Sequence, residues 1–263
     1  GHFLDVIFNY LILTALPSSK IIGGEATIAE FPYLGAFYIW GNLICTVTII
    51  SEKVVVTAGH CILNMTSPEM CNVRVGSALS NEGGQFINVE WIRLHDNYYN
   101  FFKDYDIVLL VLRTPIVFNG VTVRPIRFAQ SGEPQQGGVQ GLCVWGGVIV
   151  LLLLYMHYSY FQGVEIDNQL RQVSLSIAEH ELCEEVYKDN ERESQFTERM
   201  LCVLVDEENA ACNNDKGSAL IVDGVLVGIA SWATECGNPE YPSVFTDVSI
   251  VSDWILKTLA IFG

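Results

Sequence analysis

From residue 21 onward the chain is a series of short apolar runs broken by turn residues. Val54-Val55-Val56 is β-branched, as is much of the run from Ile107 to Val111. Such side chains pack well on a pleated surface and lose rotamer freedom in a helix, so both runs predict strands. Leu220-Ile221-Val222 and Val225-Leu226-Val227 flank Asp223-Gly224. Two apolar arms around Asp-Gly predict a hairpin with a two-residue turn. Many short strands with such turns predict a sandwich or barrel. The period changes at the C-terminus, where Val251, Trp254, Ile255 and Leu259 recur at helical spacing behind Ser249, the expected N-cap. The expectation is an all-β architecture with one C-terminal helix, without internal repeats or a long linker.

The run GVIVLLLLYMHYSYFQG over 147–163 breaks this rhythm. It is continuously apolar, then aromatic. A membrane span needs about 20 apolar residues, so the run is too short to cross a bilayer. Exposed, it would be an aggregation-prone strand.

Composition narrows the class. Of 263 residues, 50% are hydrophobic and 17% charged, enough for a large core and contrary to disorder. Acidic residues outnumber basic ones by 30 to 14, giving a net charge of -16. Such a chain repels nucleic acid and anionic lipid, so neither is an expected partner. The 8 cysteines include no Cys-x-x-Cys pair, which argues against zinc-ribbon and thioredoxin readings and for disulfides in an oxidising compartment. Residues 3–16 are mostly apolar and run into Pro17-Ser18-Ser19, the pattern of a secretory signal peptide. We expect 1–20 to be signal peptide plus short propeptide, and 21–263 to be one secreted domain. Asn64-Met65-Thr66 is a glycosylation sequon that fits a secreted surface loop. Asp206-Glu207-Glu208 reads as a solvated turn, and no metal or cofactor is expected.

Three separated pieces hold the candidate chemistry. The first is Val56-Thr57-Ala58-Gly59-His60-Cys61, a histidine beside a cysteine at a strand end. The second is Asp104-Tyr105-Asp106 before the run Ile107-Val108-Leu109-Leu110. An acid there would be buried and would need a partner, for which histidine is suited. The third is Cys212-Asn213-Asn214-Asp215-Lys216-Gly217-Ser218, followed by the hairpin and Ser231-Trp232-Ala233.

In this order the pieces resemble the trypsin/chymotrypsin family of serine proteases. Ile21-Ile22-Gly23-Gly24 resembles the mature N-terminus, behind Lys20 where an activator would cut. Thr57 to Cys61 resembles the histidine motif, Asp106 to Leu110 the aspartate motif, and Val144-Trp145-Gly146 the opening of the second barrel. Ser231-Trp232-Ala233 and Pro242-Ser243-Val244-Phe245-Thr246 resemble the walls of the specificity pocket. The resemblance covers 21–255 and implies two six-stranded Greek-key barrels of the chymotrypsin-like fold. It also implies disulfides Cys45–Cys61, Cys183–Cys202 and Cys212–Cys236, with Cys71 and Cys143 outside that set, paired or not.

By the same resemblance His60 is the base, Asp106 its orienter, and Ser231 stands behind Asp106. The nucleophile position falls on Lys216, where the family's Gly-Asp-Ser-Gly-Gly reads Asn214-Asp215-Lys216-Gly217-Ser218. Lysine has no hydroxyl, and acyl transfer to an amine would give a stable amide. Ser218 lies two residues off the required spacing. Asn214 replaces an oxyanion-hole glycine, and Ser218 and Ala219 replace Gly and Pro, so several positions depart together. Ile21 and Asp215 match the pair that forms on activation, so cleavage after Lys20 is expected to create it. Ala210 stands where trypsins carry an acid, and Ala233 and Ser243 where glycines keep the pocket open. The implied pocket is small and apolar.

The expectation is therefore a secreted, inactive, monomeric protease homologue. It binds a peptide or protein, other extracellular proteases among the candidates, as decoy or regulator. The alternative is an active serine-type endopeptidase of chymotrypsin- or elastase-like preference, which requires a serine at 216 in the translated protein. The segment 147–162 falls in a loop that the family fold does not need. It reads as translated intron, against a partner- or membrane-touching loop or an extra buried strand.

Overall fold

In a computed structural model, the protein is described over residues 24–63, 67–133, 137–146, 169–188, 196–206, 216–234 and 238–263. The expected leader region, the sequon, the 147–162 segment and the 207–215 run lie outside the described residues.

A two-residue strand β1 (Gly24–Glu25) precedes six strands of a closed barrel. These are β2 (Leu34–Ile39), β3 (Asn42–Ile49), β4 (Val54–Thr57), β5 (Cys71–Val75), β6 (Gln85–Leu94) and β7 (Val108–Leu112). Their order is β2-β3-β4-β7-β6-β5, with β5 returning to β2, so the chain skips past β5 and β6 in Greek-key fashion. β4 and β7 are buried along their whole length. Their near-continuous Val and Leu content reflects that burial, and all of these side chains belong to one apolar cluster.

The second half supplies β8 (Arg127–Phe128), β9 (Gln140–Gly146), β10 (Leu170–Ile177), α1 (His180–Lys188), β11 (Met200–Leu204), β12 (Ala219–Val222), β13 (Val225–Trp232), β14 (Ser243–Asp247) and α2 (Val248–Phe262). Strands β10-β11-β14-β13-β12-β9 close through the β9–β10 pairing. β1 extends this sheet beside β10, and β8 runs parallel to β13. The fold is two closed six-stranded antiparallel barrels with a C-terminal helix, as expected. One apolar cluster runs from the first barrel through Ala219 and Ile229 to Val248, Val251 and Ile255 of α2, so barrels and helix share a core.

The predicted hairpin forms between β12 and β13. Asp223 and Gly224 have φ of 48° and 74°, the left-handed pair that a primed two-residue turn demands. The C-terminal helix begins earlier than expected: its cap is Asp247, whose Oδ1 accepts from Ser249 N–H, so Ser249 lies inside the first turn. The sequence pattern does not predict α1. Only Cys183 and Tyr187, four residues apart, are fully buried, with Val186 partly buried beside them, which is too little apolar periodicity to mark the helix.

Two of the implied disulfides, Cys45–Cys61 and Cys183–Cys202, are present. Cys212 and Cys236 lie outside the described residues. Cys71 is buried in the first barrel and Cys143 in the second. Burial pushes the Cys71 thiol up to about 11, so it is a packed side chain rather than a thiolate.

Leu110 is fully buried on β7, within the apolar cluster that the two barrels share. Leu110→Ala should cost roughly 2–5 kcal/mol, read as a lower urea midpoint at unchanged slope.

Candidate active site

Site residues come from strand ends at the junction of the barrels. β4 ends at Thr57, and the chain turns through a 3-10 segment, Gly59–Ile62, that carries His60. The disulfide from Cys61 to Cys45 on β3 fixes this turn to the barrel wall. Asp106 lies just before β7, where the backbone plunges into the core, and it is fully buried.

A carboxylate removed from water needs donors, and Asp106 has three. Oδ1 accepts from the His60 backbone N–H at 2.8 Å. Oδ2 lies 2.7 Å from His60 Nδ1 and 2.5 Å from Ser231 Oγ. The acid thus fixes both backbone and ring of His60, and Ser231 closes the far side. Thr246 Oγ1 donates to the Asp106 carbonyl at 3.0 Å, tying β14 to the same point. Nearby Tyr98 has its phenol pKa raised, first by burial and second by the Asp106 charge.

The other ring nitrogen stands in contrast. The His60 side chain is 7% exposed, yet its Nε2 has no hydrogen-bond partner among the described residues. Nδ1 is committed to the acid, and Nε2 is itself enclosed.

The Lys216-Gly217 turn is pinned from two sides. The Lys216 carbonyl accepts from Thr46 N–H of β3 at 3.0 Å, and Gly217 N–H donates to Ala230 O of β13 at 3.0 Å. Gly217 has φ +74°, and a Cβ there would lie 2.1 Å from Thr57 Oγ1 and 2.6 Å from Thr46 O. Glycine is therefore required both by conformation and by the closeness of the first barrel. Thr57 Oγ1 itself donates to Thr46 O at 2.6 Å. Lys216 is exposed, whereas Ser218 is fully buried, so the nearby serine cannot present its hydroxyl to a substrate.

Ser231, Trp232 and Ala233 end β13 and are buried, as is Ser243 at the start of β14. Trp232 pairs with Val244, so the ends of the two strands lie side by side. Lys20, Ile21, Ala210, Asn214 and Asp215 lie outside the described residues. Cys45, His60 and Cys61 bring ligand-type atoms within 4.8 Å of one another, but the two sulfurs are bonded to each other and offer no thiolate to a metal.

Known proteins resemble the chain over most of its length. A family model described as Trypsin matches residues 21–255. The chain belongs to the trypsin family. Trypsin of Sarcophaga bullata is 33% identical over 257 residues, covering 96% of this chain and 95% of that protein. Hypodermin-A of Hypoderma lineatum is 31% identical over 241 residues, covering 90% and 87%. Among solved structures, the scabies mite inactivated protease paralogue S-D1 aligns with a TM-score of 0.78 at 20% identity, over 90% of this chain and 96% of that one. That likeness is one of fold. Neuropsin, a serine protease expressed in the limbic system of mouse brain, aligns with a TM-score of 0.74 at 26% identity, over 90% and 98%.

Sequence reasoning missed the contacts that brace the site. Asp104 accepts from Arg199 Nε at 2.9 Å and from Thr197 Oγ1 at 3.0 Å, joining the Asp106 loop to the second barrel. Arg199 also lies over the Tyr105 ring at 5.2 Å, and Tyr105 stacks on His95 at 4.4 Å. No local pattern marks Arg199, because its partner lies 95 residues away in the chain.

Ser231→Ala should lower stability by about 1–3 kcal/mol, because Asp106 loses a donor without regaining water. Urea unfolding of the two proteins measures it.

Proposed function

We propose that this trypsin-family protein is a secreted, catalytically inactive homologue that acts by binding a peptide or protein, as a decoy or regulator of extracellular proteolysis. The observation that carries the reading is the pairing of an ordered base with a residue that cannot serve it. His60 is held by Asp106, which Ser231 bonds in turn, while the turn at the position the family gives to the nucleophile carries Lys216. General-base catalysis of acyl transfer needs a hydroxyl or thiol whose proton the imidazole can take. Lys216 supplies an exposed amine, and Ser218 is sealed in the core. Loss of a triad member costs several orders of magnitude in rate. A solved neighbour is named an inactivated protease paralogue, which accords with the fold being kept in the absence of turnover. The disulfides and the family favour an oxidising, extracellular setting.

The ordered His60–Asp106–Ser231 array favours a second reading, the active serine-type endopeptidase, only for a chain with serine at 216. In that case, buried Trp232, Ala233 and Ser243 would narrow its pocket toward small residues.

The protein cleaved after Lys20 should turn over neither casein nor small-residue peptide anilides. It should nevertheless slow cleavage of the same casein by an added active protease. Turnover by the native chain at a rate approaching that of its Lys216→Ser variant would overturn the inactive reading.

A further inference from the structure

The C-terminal helix α2 turns one face inward, where Val248, Val251 and Ile255 join the core that the barrels share. The opposite face is not simply polar. Ile250, Leu256 and Ile261 are 51%, 44% and 72% exposed on it. Single exposed apolar residues are ordinary on a protein surface, but three on one helix face call for a cause. Two charges, Asp253 and Lys257, lie among them, and both are exposed. They stand four residues apart on the helix, within reach of each other, yet no ion pair among the described residues takes in either one.

We propose that α2 pairs antiparallel with α2 of a second copy of this chain. The seam is Ile250, Trp254, Lys257 and Ile261, which follow one another at steps of four, three and four residues, the spacing of a helix-pairing stripe. That spacing reads the same from either end. A reversed copy therefore sets Ile250 against Ile261 at both ends of the seam, and Trp254 against Lys257 on both sides of its centre. Asp253, next to Trp254, then faces Lys257 of the second copy. Each ammonium is offered a carboxylate and the open side of an indole. Trp254 is half-buried and packs on His95 at 4.8 Å between ring centres, so the indole is already fixed in place. A two-fold contact needs a patch that complements itself, and this stripe does so in both shape and charge.

The same features disfavour a membrane as the occupant. A net charge of -16 repels anionic lipid, and no lipid surface calls for a stripe that reads alike in both directions. The net charge also sets two copies against each other. The face itself carries one acid and one base, however, and repulsion from the rest of the surface is screened beyond about 8 Å at physiological salt. A helix of 15 residues is about 22 Å long. Contact over that length falls in the weak class of interfaces, below about 1,200 Å², so the expected dissociation constant is on the order of 100 μM. The monomer expected from the sequence is then the dilute form, and the pair forms where the chain is concentrated.

The test is sedimentation of the full chain in about 0.15 M salt, at concentrations from roughly 10 μM to 1 mM. The weight-average mass should rise toward that of a dimer. Asp253→Lys alone and Lys257→Asp alone should each weaken association by about tenfold or more, because like charges then meet twice across the seam. An equimolar mixture of these two variants should recover it, since each supplies the charge that the other lacks. Ile261→Ser should weaken association as well. All of these positions are exposed, so each variant should fold as the native chain does. A native chain that stays monomeric throughout, dimers indifferent to both charge reversals, or no recovery on mixing would each overturn the proposal. Binding of the native chain to neutral phosphatidylcholine vesicles, lost in Ile261→Ser, would assign the face to lipid and overturn the pairing too.

Discussion

The burial of one carboxylate organises this molecule. Asp106 has no contact with water and sits where two barrels meet. Its donors come from both halves of the chain: His60 from the first barrel and Ser231 from the second. A charge in that position is tolerated only when its oxygens are paired, and breaking a buried pair is far more costly than never forming it. The barrels must therefore dock in one register, and the imidazole must keep one orientation. Thr246 on the Asp106 carbonyl and Arg199 on Asp104 hold the same loop from the second barrel.

The second constraint is the approach of the Lys216-Gly217 turn to β3. Gly217 fits because it has no Cβ, and the turn is clamped to Thr46 and Ala230. Those clamps are made by the backbone at 216 and 217 and do not involve the side chain at 216. Scaffold and chemistry are thus separable in this family: hydrogen bonds and packing set the position, and the residue placed there decides the reactivity.

Much of this is legible in the sequence because it depends on local pattern. Val54–Val56, Ile107–Leu110 and the Asp223-Gly224 turn each signal their structure within a few residues, and all three form as strands and hairpin. The acid before an apolar strand is readable as buried, and chemistry and family motif together pair it with His60. The features that escape the sequence are set by tertiary contact. α1 fully buries only Cys183 and Tyr187, the helix cap falls on Asp247 because its carboxylate reaches Ser249 N–H, and Arg199 acquires meaning only from Asp104. The burial of Ser218 beside an exposed Lys216 is equally invisible, since it depends on which way a two-residue turn faces.

The central claim is that the base and its acid remain assembled and that residue 216 alone withholds the chemistry. Labelling with a serine-directed fluorophosphonate tests it most directly, comparing the chain cleaved after Lys20 with its Lys216→Ser variant. The account predicts that only the variant labels, and that His60→Ala in the variant abolishes the signal. Labelling of the native chain, or none in the variant, would contradict it.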